Sequence, residues 1–188
     1  MSIQSLYQSF PPLETPRLAL RRLQPEDAPA LFAILGDDEV TRWYDDATFT
    51  NLAQAQEQIQ SWENGYAARR CVRWGITRKG EAQIIGTCGF YGIHPWHLRG
   101  SIGYELARKE WRQGIMAEAL GALLALGFND LGLRRIDAVV LPENLPSIRL
   151  LEKLGFRNEG LLRQYENWES KGFADLCMLA ILKSDWPG

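Results

Sequence analysis

The sequence predicts a mixed α/β protein in which helices flank a mostly antiparallel sheet. Its 188 residues, 46% of them hydrophobic and 23% charged, suit one globular domain spanning residues 1–188. Three strand patterns follow one another between residues 71 and 107 with short turns between them, which indicates an antiparallel meander. Segments with helical periodicity lie on both sides of this meander. The predicted order is β-α-α-β-β-β-α-β-α-β-β.

In the first half of the chain, residues 17–23 alternate apolar and basic side chains after a loose proline-containing start, and this alternation predicts a strand. A helix is expected from Pro25 to Gly36, because proline and acidic residues suit a first turn. The stretch from 37 to 50 is expected to form a loop with at most a short helical turn, and Trp43 or Tyr44 is a candidate pocket residue there. A second helix follows at 51–69, and the meander comprises 71–79, 83–93 and 100–107.

The second half begins with a helix after Gly114, whose apolar residues keep helical spacing to Phe128. Residues 134–141 form a short, nearly continuous apolar run, typical of a central strand. A short helix follows, with Pro146 in its first turn and Gly155 at its left-handed C-terminal cap. Residues 159–168 and 173–182 are expected to close the chain as a hairpin.

The charge and hydropathy of the chain exclude several kinds of partner. A formal net charge of -2 argues against the broad basic surface that nucleic-acid binding needs. No apolar run reaches the ~18–20 residues that span a bilayer, and the first ten residues lack a signal-peptide pattern. We therefore expect a cytoplasmic protein with neither nucleic acid nor membrane as a partner.

The cysteines and histidines give no pattern of a metal site. Three widely spaced cysteines without a CxxC pair indicate reduced thiols rather than a disulfide or zinc framework. The two histidines, His94 and His97, flank Pro95 in a segment typical of a turn. No metal is expected.

Two strand-to-helix junctions carry candidate chemistry. At the first, Gly114 precedes a helix whose early N–H groups lack partners, and a residue without a Cβ lets an anion approach them, with Arg112 and Gln113 beside it. A simple structural turn remains the alternative. At the second, Asn144 and Ser147 stand three residues apart, where they either project into one cleft or serve only as helix caps.

The segments GYELARKEWRQGIMAEAL (103–120) and ENLPSIRLLEKLGFRNEG (143–160) together resemble the GCN5-related N-acetyltransferase (GNAT) superfamily. The likeness is greatest to its RimJ/RimL-type branch, whose opening is similar to LETPRLALRRLQPEDAPALF (13–32). The resemblance thus covers about residues 13–183, which it implies as the core of the domain. The resemblance implies an acyl-CoA N-acyltransferase fold whose central strands splay to admit acetyl-CoA as co-substrate. It implies no substrate by itself.

The resemblance also implies positions for the cofactor. The pantetheine is expected along residues 104–107, beside Leu106 and Ala107, and a backbone N–H near Leu106 would serve the oxyanion. Asn144 and Ser147 would face the thiol, with Ser147 near the leaving sulfur. The residues expected around the pyrophosphate are Arg112, Gln113, Gly114, Ile115, Met116 and Ala117.

The general base is the open question. Many relatives have a glutamate immediately before the "IGY" of this strand, whereas this chain has Ser101. Glu105 is the nearest carboxylate in the strand and shares the face of Ser101 by alternation. Glu105 is therefore the candidate base, with Ser147 and Asn144 as the other candidate catalytic residues.

The ionisation of amines favours one class of acceptor. Near neutral pH, deprotonation costs about 1 kcal/mol for a peptide α-amine but about 5 kcal/mol for lysine. The leading hypothesis is acetylation of the N-terminal α-amine of a protein. The alternatives are acetylation of a small-molecule amine and a non-catalytic acyl-CoA-binding module. By resemblance, the protein would be a monomer or a homodimer.

Overall fold

The computed structural model describes residues 2–45, 47–168 and 172–187. Its helices and strands agree in order with the sequence prediction and add three short elements, α1, β1 and α3. The helices are α1 (Ile3–Leu6), α2 (Ala28–Leu35), α3 (Asp38–Thr41), α4 (Leu52–Ala67), α5 (Ile115–Ala125) and α6 (Leu145–Lys153). The strands are β1 (Leu13–Glu14), β2 (Leu18–Arg22), β3 (Val72–Arg78), β4 (Ile84–His94), β5 (Arg99–Leu106), β6 (Arg135–Val140), β7 (Arg157–Trp168) and β8 (Gly172–Leu182).

In the described ranges these strands form one sheet in the order β1-β2-β3-β4-β5-β6-β8-β7. Every neighbouring pair is antiparallel except β5 and β6, which run parallel. The α5 helix supplies the crossover between them, as parallel neighbours require. The prediction of a mostly antiparallel sheet flanked by helices is confirmed.

The β5–β6 pair is short. Only three residues of each strand are in register, and the last of these pairs joins Ser101 to Asp137. Beyond it, β5 continues to Leu106 along β4, while β6 continues to Val140 along β8. The two strands therefore diverge, and a gap opens in the centre of the sheet.

Apolar side chains cover both faces of the sheet. On one face, α5 packs its buried side chains, such as Leu120 and Leu123, against sheet residues that include Trp74 and Phe90. A second cluster joins α2 and α4 to Ile84, whose side chain points opposite to that of its neighbour. Both clusters reach the end of β5 beside the gap, through Leu106 in the first and Ala107 packed against the second.

The N-terminal segment is better ordered than its composition indicated, and the prediction of a loose start is wrong. Leu6 is fully buried, and its carbonyl accepts a hydrogen bond from the Tyr66 hydroxyl at 2.8 Å. The Trp74 indole donates to the Pro11 carbonyl at 2.7 Å. These contacts fix the segment against β3 and α4. The turn of the predicted C-terminal hairpin, at 169–171, lies outside the described residues.

Candidate active site

The backbone of β5 presents alternate residues to the gap. Ala107 donates its N–H to the Ile85 carbonyl of β4 at 2.8 Å. Because successive residues of a strand direct their polar groups to opposite edges, the N–H and C=O groups of Tyr104 and Leu106 face away from β4. These two residues therefore line the gap that the divergence of β6 opens.

The carbonyl groups of Tyr104 and Leu106 have no neighbouring strand to bind on the gap side, and side chains donate to them instead. The Tyr44 hydroxyl donates to the Tyr104 carbonyl at 2.6 Å, and the Trp111 indole N–H donates to the Leu106 carbonyl at 2.8 Å. Buried carbonyls need such partners. The N–H groups of Tyr104 and Leu106 remain directed at the gap, where they can bind a carbonyl or a developing oxyanion.

Across the same gap, a tyrosine of β5 meets a serine of α6. The Tyr104 and Ser147 hydroxyl oxygens lie 2.7 Å apart, and either can donate. Desolvation raises the pKa of Tyr104 to about 12, against a smaller lowering by the Ser147 hydrogen bond. The phenol therefore keeps its proton at neutral pH, and the pair can donate a proton to a group within the gap.

The Asn144 side chain caps the start of α6. Its side-chain oxygen accepts the Ser147 N–H at 3.2 Å and so caps α6. This is the capping alternative that the sequence left open, and it holds Ser147 at the first turn of the helix. Asn144 thus orients Ser147 toward Tyr104.

The start of α5 presents unpaired donors, as the sequence pattern predicted. The first intrahelical bond runs from the Glu118 N–H to the Gly114 carbonyl at 3.1 Å. The N–H groups of Ile115, Met116 and Ala117 precede it and have no carbonyl one turn earlier in the helix. Gly114 has a φ of 74°, a left-handed conformation that glycine adopts without strain.

Two arginines that are distant in sequence flank this helix start, Arg17 just before β2 and Arg78 at the end of β3, and neither was predicted. Arg17 donates to the Gln113 carbonyl at 3.0 Å and pairs with Glu118 at 2.5 Å. Arg78 donates to the Gln113 side chain at 2.8 Å. Although burial raises the pKa of Glu118, hydrogen bonds from Thr15 and Arg17 hold it below its usual value.

The geometry of this helix start fits a pyrophosphate. A Cβ built on Gly114 would meet only the Arg17 guanidinium, at 3.5 Å, so the backbone is open on that side. An exposed arginine, Arg112, with its own φ of 62°, precedes the glycine. Free N–H groups, the helix dipole and the exposed Arg112 favour an anion here, whereas the charge of Arg17 is already paired with Glu118.

A branched side chain at this glycine should weaken cofactor binding. Gly114→Val forces a β-branched residue into the left-handed region and covers the helix N–H groups, so the dissociation constant for acetyl-CoA should rise at least about tenfold. Titration calorimetry measures this constant. Gly121→Val, in the same helix where a Cβ meets nothing within 4 Å, is the matched control and should bind acetyl-CoA normally.

Glu105, the candidate base, lies in a closed polar cluster. The carboxylate is 3% exposed, pairs with Arg73 and accepts hydrogen bonds from Thr87 and, at 2.8 Å, from Tyr44. Burial, and then the adjacent carboxylate, raise the pKa of Tyr44, which therefore stays a donor. A carboxylate with this many donors is poorly suited to take a proton from an amine.

The Arg73 side chain lies across the sheet from β3 to β5. Its guanidinium donates to the Thr87 hydroxyl at 2.7 Å and the Gly103 carbonyl at 2.9 Å. A Cβ on Gly103 would lie 3.3 Å from Arg73, so the glycine leaves room for this crossing. The Trp62 ring of α4 covers the guanidinium at 4.9 Å. The cluster fixes the backbone of β5 beside the gap.

A second buried carboxylate lies where β5 and β6 begin to diverge, and sequence reasoning did not identify it. Asp137 is 3% exposed, and its Oδ1 accepts the Ser101 hydroxyl at 2.6 Å. The phenol of Tyr91 interacts with Ser101. The pKa of Tyr91 is raised, mainly by its partial burial and next by the negative charge of Asp137. The only sequence signal was one acid within an otherwise apolar strand.

A family model described as an acetyltransferase (GNAT) domain matches residues 17–157, which is most of the chain. The chain belongs to the GNAT acetyltransferase family. It is therefore an acyl-CoA-dependent N-acetyltransferase, and the predicted resemblance to the RimJ/RimL-like branch is confirmed. GNAT acetyltransferases use acetyl-CoA as the acetyl donor.

The relatives of this GNAT protein include N-acetyltransferases without a stated substrate and one whose protein substrate is stated. An uncharacterized N-acetyltransferase of Bacillus subtilis, YoaA, is 45% identical over 156 residues, covering 83% of this chain and 88% of the relative. The [ribosomal protein uS5]-alanine N-acetyltransferase of Escherichia coli is 31% identical over 121 residues, covering 61% and 60%. Mycobacterium smegmatis RimJ, solved in complex with CoA-disulfide, superposes with a TM-score of 0.82 at 26% identity, covering 95% and 88%.

Other features of this GNAT domain concern metals, thiols and membranes. Over residues 2–45, 47–168 and 172–187, no three histidine, cysteine or acidic side chains come together as a metal-binding group. All three cysteines are free thiols. Within the same ranges, no helix combines the length and the apolar character that crossing a bilayer would need.

Proposed function

We propose that this acetyltransferase transfers the acetyl group of acetyl-CoA to the N-terminal α-amine of a protein. The donor would place its pyrophosphate at the start of α5 and its pantetheine arm along the gap-facing edge of β5. When bound, acetyl-CoA supplies an activated acetyl thioester. The chain supplies the residues that hold the donor, orient the acceptor and handle the protons.

The donor site is supported by the fit of the groups around the gap. The N–H groups of Ile115–Ala117 suit phosphate, and those of Tyr104 and Leu106 suit the amide-containing arm. Ser147 and Tyr104 together provide a proton donor within the same gap. The similarity to a RimJ protein that was solved with CoA-disulfide is consistent with this arrangement.

The observation that carries the acceptor class is a rim of side chains from β4 and β7 near Ser101, where β5 and β6 begin to diverge. We define the rim as Tyr91, Tyr165 and Glu166. Tyr91 and Tyr165 are 49% and 52% exposed, and the charges of Asp137 and Glu166 act on Tyr91. Half-exposed aromatic rings beside carboxylates attract an ammonium group.

The engagement of Glu105 agrees with an α-amine. With this carboxylate held by Arg73, Thr87 and Tyr44, the site has no strong isolated base on β5. Lysine needs about 3–4 kcal/mol more than an α-amine to lose its proton near neutral pH. The uS5-alanine acetyltransferase among the relatives is consistent with such an acceptor.

A panel of amines tests the acceptor class. The panel contains peptides with a free α-amine, the same peptides with a blocked N-terminus and an internal lysine, and free amino acids and aminoglycosides. We expect free α-amine peptides to exceed the blocked lysine peptides by about 10²-fold in kcat/KM near neutral pH, the ratio of their free-amine fractions. Mass spectrometry locates the added acetyl group.

The small-molecule alternative makes the opposite prediction on the same panel. If a free amino acid or an aminoglycoside has a kcat/KM equal to or above that of the best peptide, the protein N-terminus is not the acceptor. Acetylation confined to the lysine of the blocked peptides would likewise contradict the proposal. Each result leaves membership of the family and the donor site unaffected.

A further inference from the structure

Asp137 occupies a position that is unusual for a charged residue. It lies on the central strand β6, is 3% exposed, and is flanked along the chain by the core residues Ile136 and Ala138. Burying a carboxylate is costly unless donors compensate its charge. The hydrogen-bond donors around Asp137 therefore decide how far its negative charge is compensated.

The principal donor to Asp137 is Ser101, and this contact lies at the closed end of the gap. The two residues are the last pair of the β5–β6 register, and the Ser101 hydroxyl donates to Asp137 Oδ1 at 2.6 Å. The gap-lining residues Tyr104 and Leu106 follow Ser101 on β5. A donor arm that enters from α5 and follows β5 would direct its far end toward this pair.

The remaining groups around Asp137 leave its charge only partly compensated. Arg135 Nε lies 3.2 Å from Oδ2, but the two terminal nitrogens of the same guanidinium bind Glu159 at 2.8 and 2.7 Å. One arginine is thus shared between two carboxylates. The other titratable groups nearby are Tyr91 from β4 and, close to Tyr91, Tyr165 and Glu166 from β7.

Glu105 does not compete for the same role. Arg73, Thr87 and Tyr44 saturate its carboxylate on the part of β5 nearer α5. Asp137, by contrast, is bound at Oδ1 by the hydroxyl of Ser101, a residue that is only partly buried. A proton can therefore pass from the gap to Asp137 through the Ser101 hydroxyl alone.

We propose that Ser101 and Asp137 accept the proton of the acceptor amine. The ammonium group gives one proton to the Ser101 oxygen while that hydroxyl passes its own proton to Asp137 Oδ1. The neutral nitrogen forms a bond to the acetyl carbonyl carbon, the carbon–sulfur bond breaks, and the second nitrogen proton leaves with the sulfur through Tyr104 and Ser147. Asp137 later returns its proton to solvent.

The proposal rests on amine acetylation and not on which amine is accepted, so the test uses the best acceptor of the panel. Asp137→Asn keeps an oxygen for the Ser101 hydroxyl but removes the charge. We expect kcat/KM for the acceptor to fall about 10²-fold near neutral pH, the usual effect of losing a proton acceptor. The wild-type value should be flat through neutrality, whereas the variant should rise with pH until the amine itself deprotonates, near about pH 8 for an α-amine.

A second variant separates chemistry from structure. Asp137→Asn combined with Ser101→Glu moves the carboxylate from β6 to β5 and should recover at least about tenfold of the lost kcat/KM. Ser101→Ala removes the intervening hydroxyl with a smaller structural change and should reproduce the pH dependence of Asp137→Asn. Acetyl-CoA affinity, measured by calorimetry, should stay within about twofold in all three variants. Asp175→Asn, an exposed aspartate of β8, is the control.

Three results would overturn the inference. One is that Asp137→Asn keeps the wild-type kcat/KM and pH profile. If Asp137→Asn does not fold, the same result for Ser101→Ala counts instead. Another is a double variant no better than Asp137→Asn. The third is an absence of wild-type turnover on every amine. Turnover on small amines alone would contradict the proposed protein acceptor but would leave this test intact.

Discussion

Arg73→Met is expected to lower the free energy of unfolding by about 3–5 kcal/mol, because it leaves a buried carboxylate without its cation. Glu105 is 3% exposed, and its ion pair with Arg73 lies under the Trp62 ring. Methionine retains most of the apolar stem of arginine but cannot bind Glu105. Chemical denaturation, followed by tryptophan fluorescence, measures the change.

The double variant Arg73→Met/Glu105→Gln is the matched control. It removes both charges, while the glutamine oxygen can still accept hydrogen bonds from Thr87 and Tyr44. We expect the double variant to be more stable than Arg73→Met alone, because the unpaired charge, and not the lost packing, causes most of the loss. Equal destabilisation of the two variants would contradict this account of the cluster.

Ser147→Ala and Tyr104→Phe should each lower kcat by about 10²-fold, the usual contribution of a positioned proton donor. The two hydroxyl groups are 2.7 Å apart across the gap, and the raised pKa of Tyr104 keeps its proton available. The calorimetric affinity for acetyl-CoA should change less than about threefold. Steady-state kinetics at saturating acceptor measures the loss in kcat.

The double variant shows whether the two hydroxyls act as one unit. If they do, Ser147→Ala/Tyr104→Phe should be no slower than the slower single variant. Multiplicative losses would mean two independent roles. Glu152→Ala, an exposed change in the same helix, should leave kcat unaltered. Single variants that keep the wild-type kcat would contradict a role for this pair in proton donation.

The order of elements was predictable because hydrophobic periodicity specifies it locally. The start of α5 at Gly114, the left-handed Gly155 and the meander all follow from residues close in sequence. The N-terminal segment was predicted wrongly because its order depends on distant partners. Tyr66 and Trp74 hold it, and no local pattern reports them.

The residues of the candidate site likewise fall into those with a local sequence signal and those that depend on distant contacts. Gly114 and Ser147 lie at strand-to-helix junctions, where spacing alone gives a signal. Asp137 and Arg17 became visible only through the fold, because each acts on a residue at least 36 positions away. Glu105 was identified by strand alternation, but its saturation by Arg73 depends on a side chain that crosses β4 from β3.

The most direct test of the donor site is hydrogen exchange with and without acetyl-CoA. Bound acetyl-CoA should slow exchange by at least about tenfold, through new hydrogen bonds, in residues 102–107 and 112–118, with little change at 157–168. Those two segments carry the N–H groups of the gap edge and of the α5 start. Binding of acetyl-CoA without protection in either segment would contradict the placement of the donor between β5 and β6.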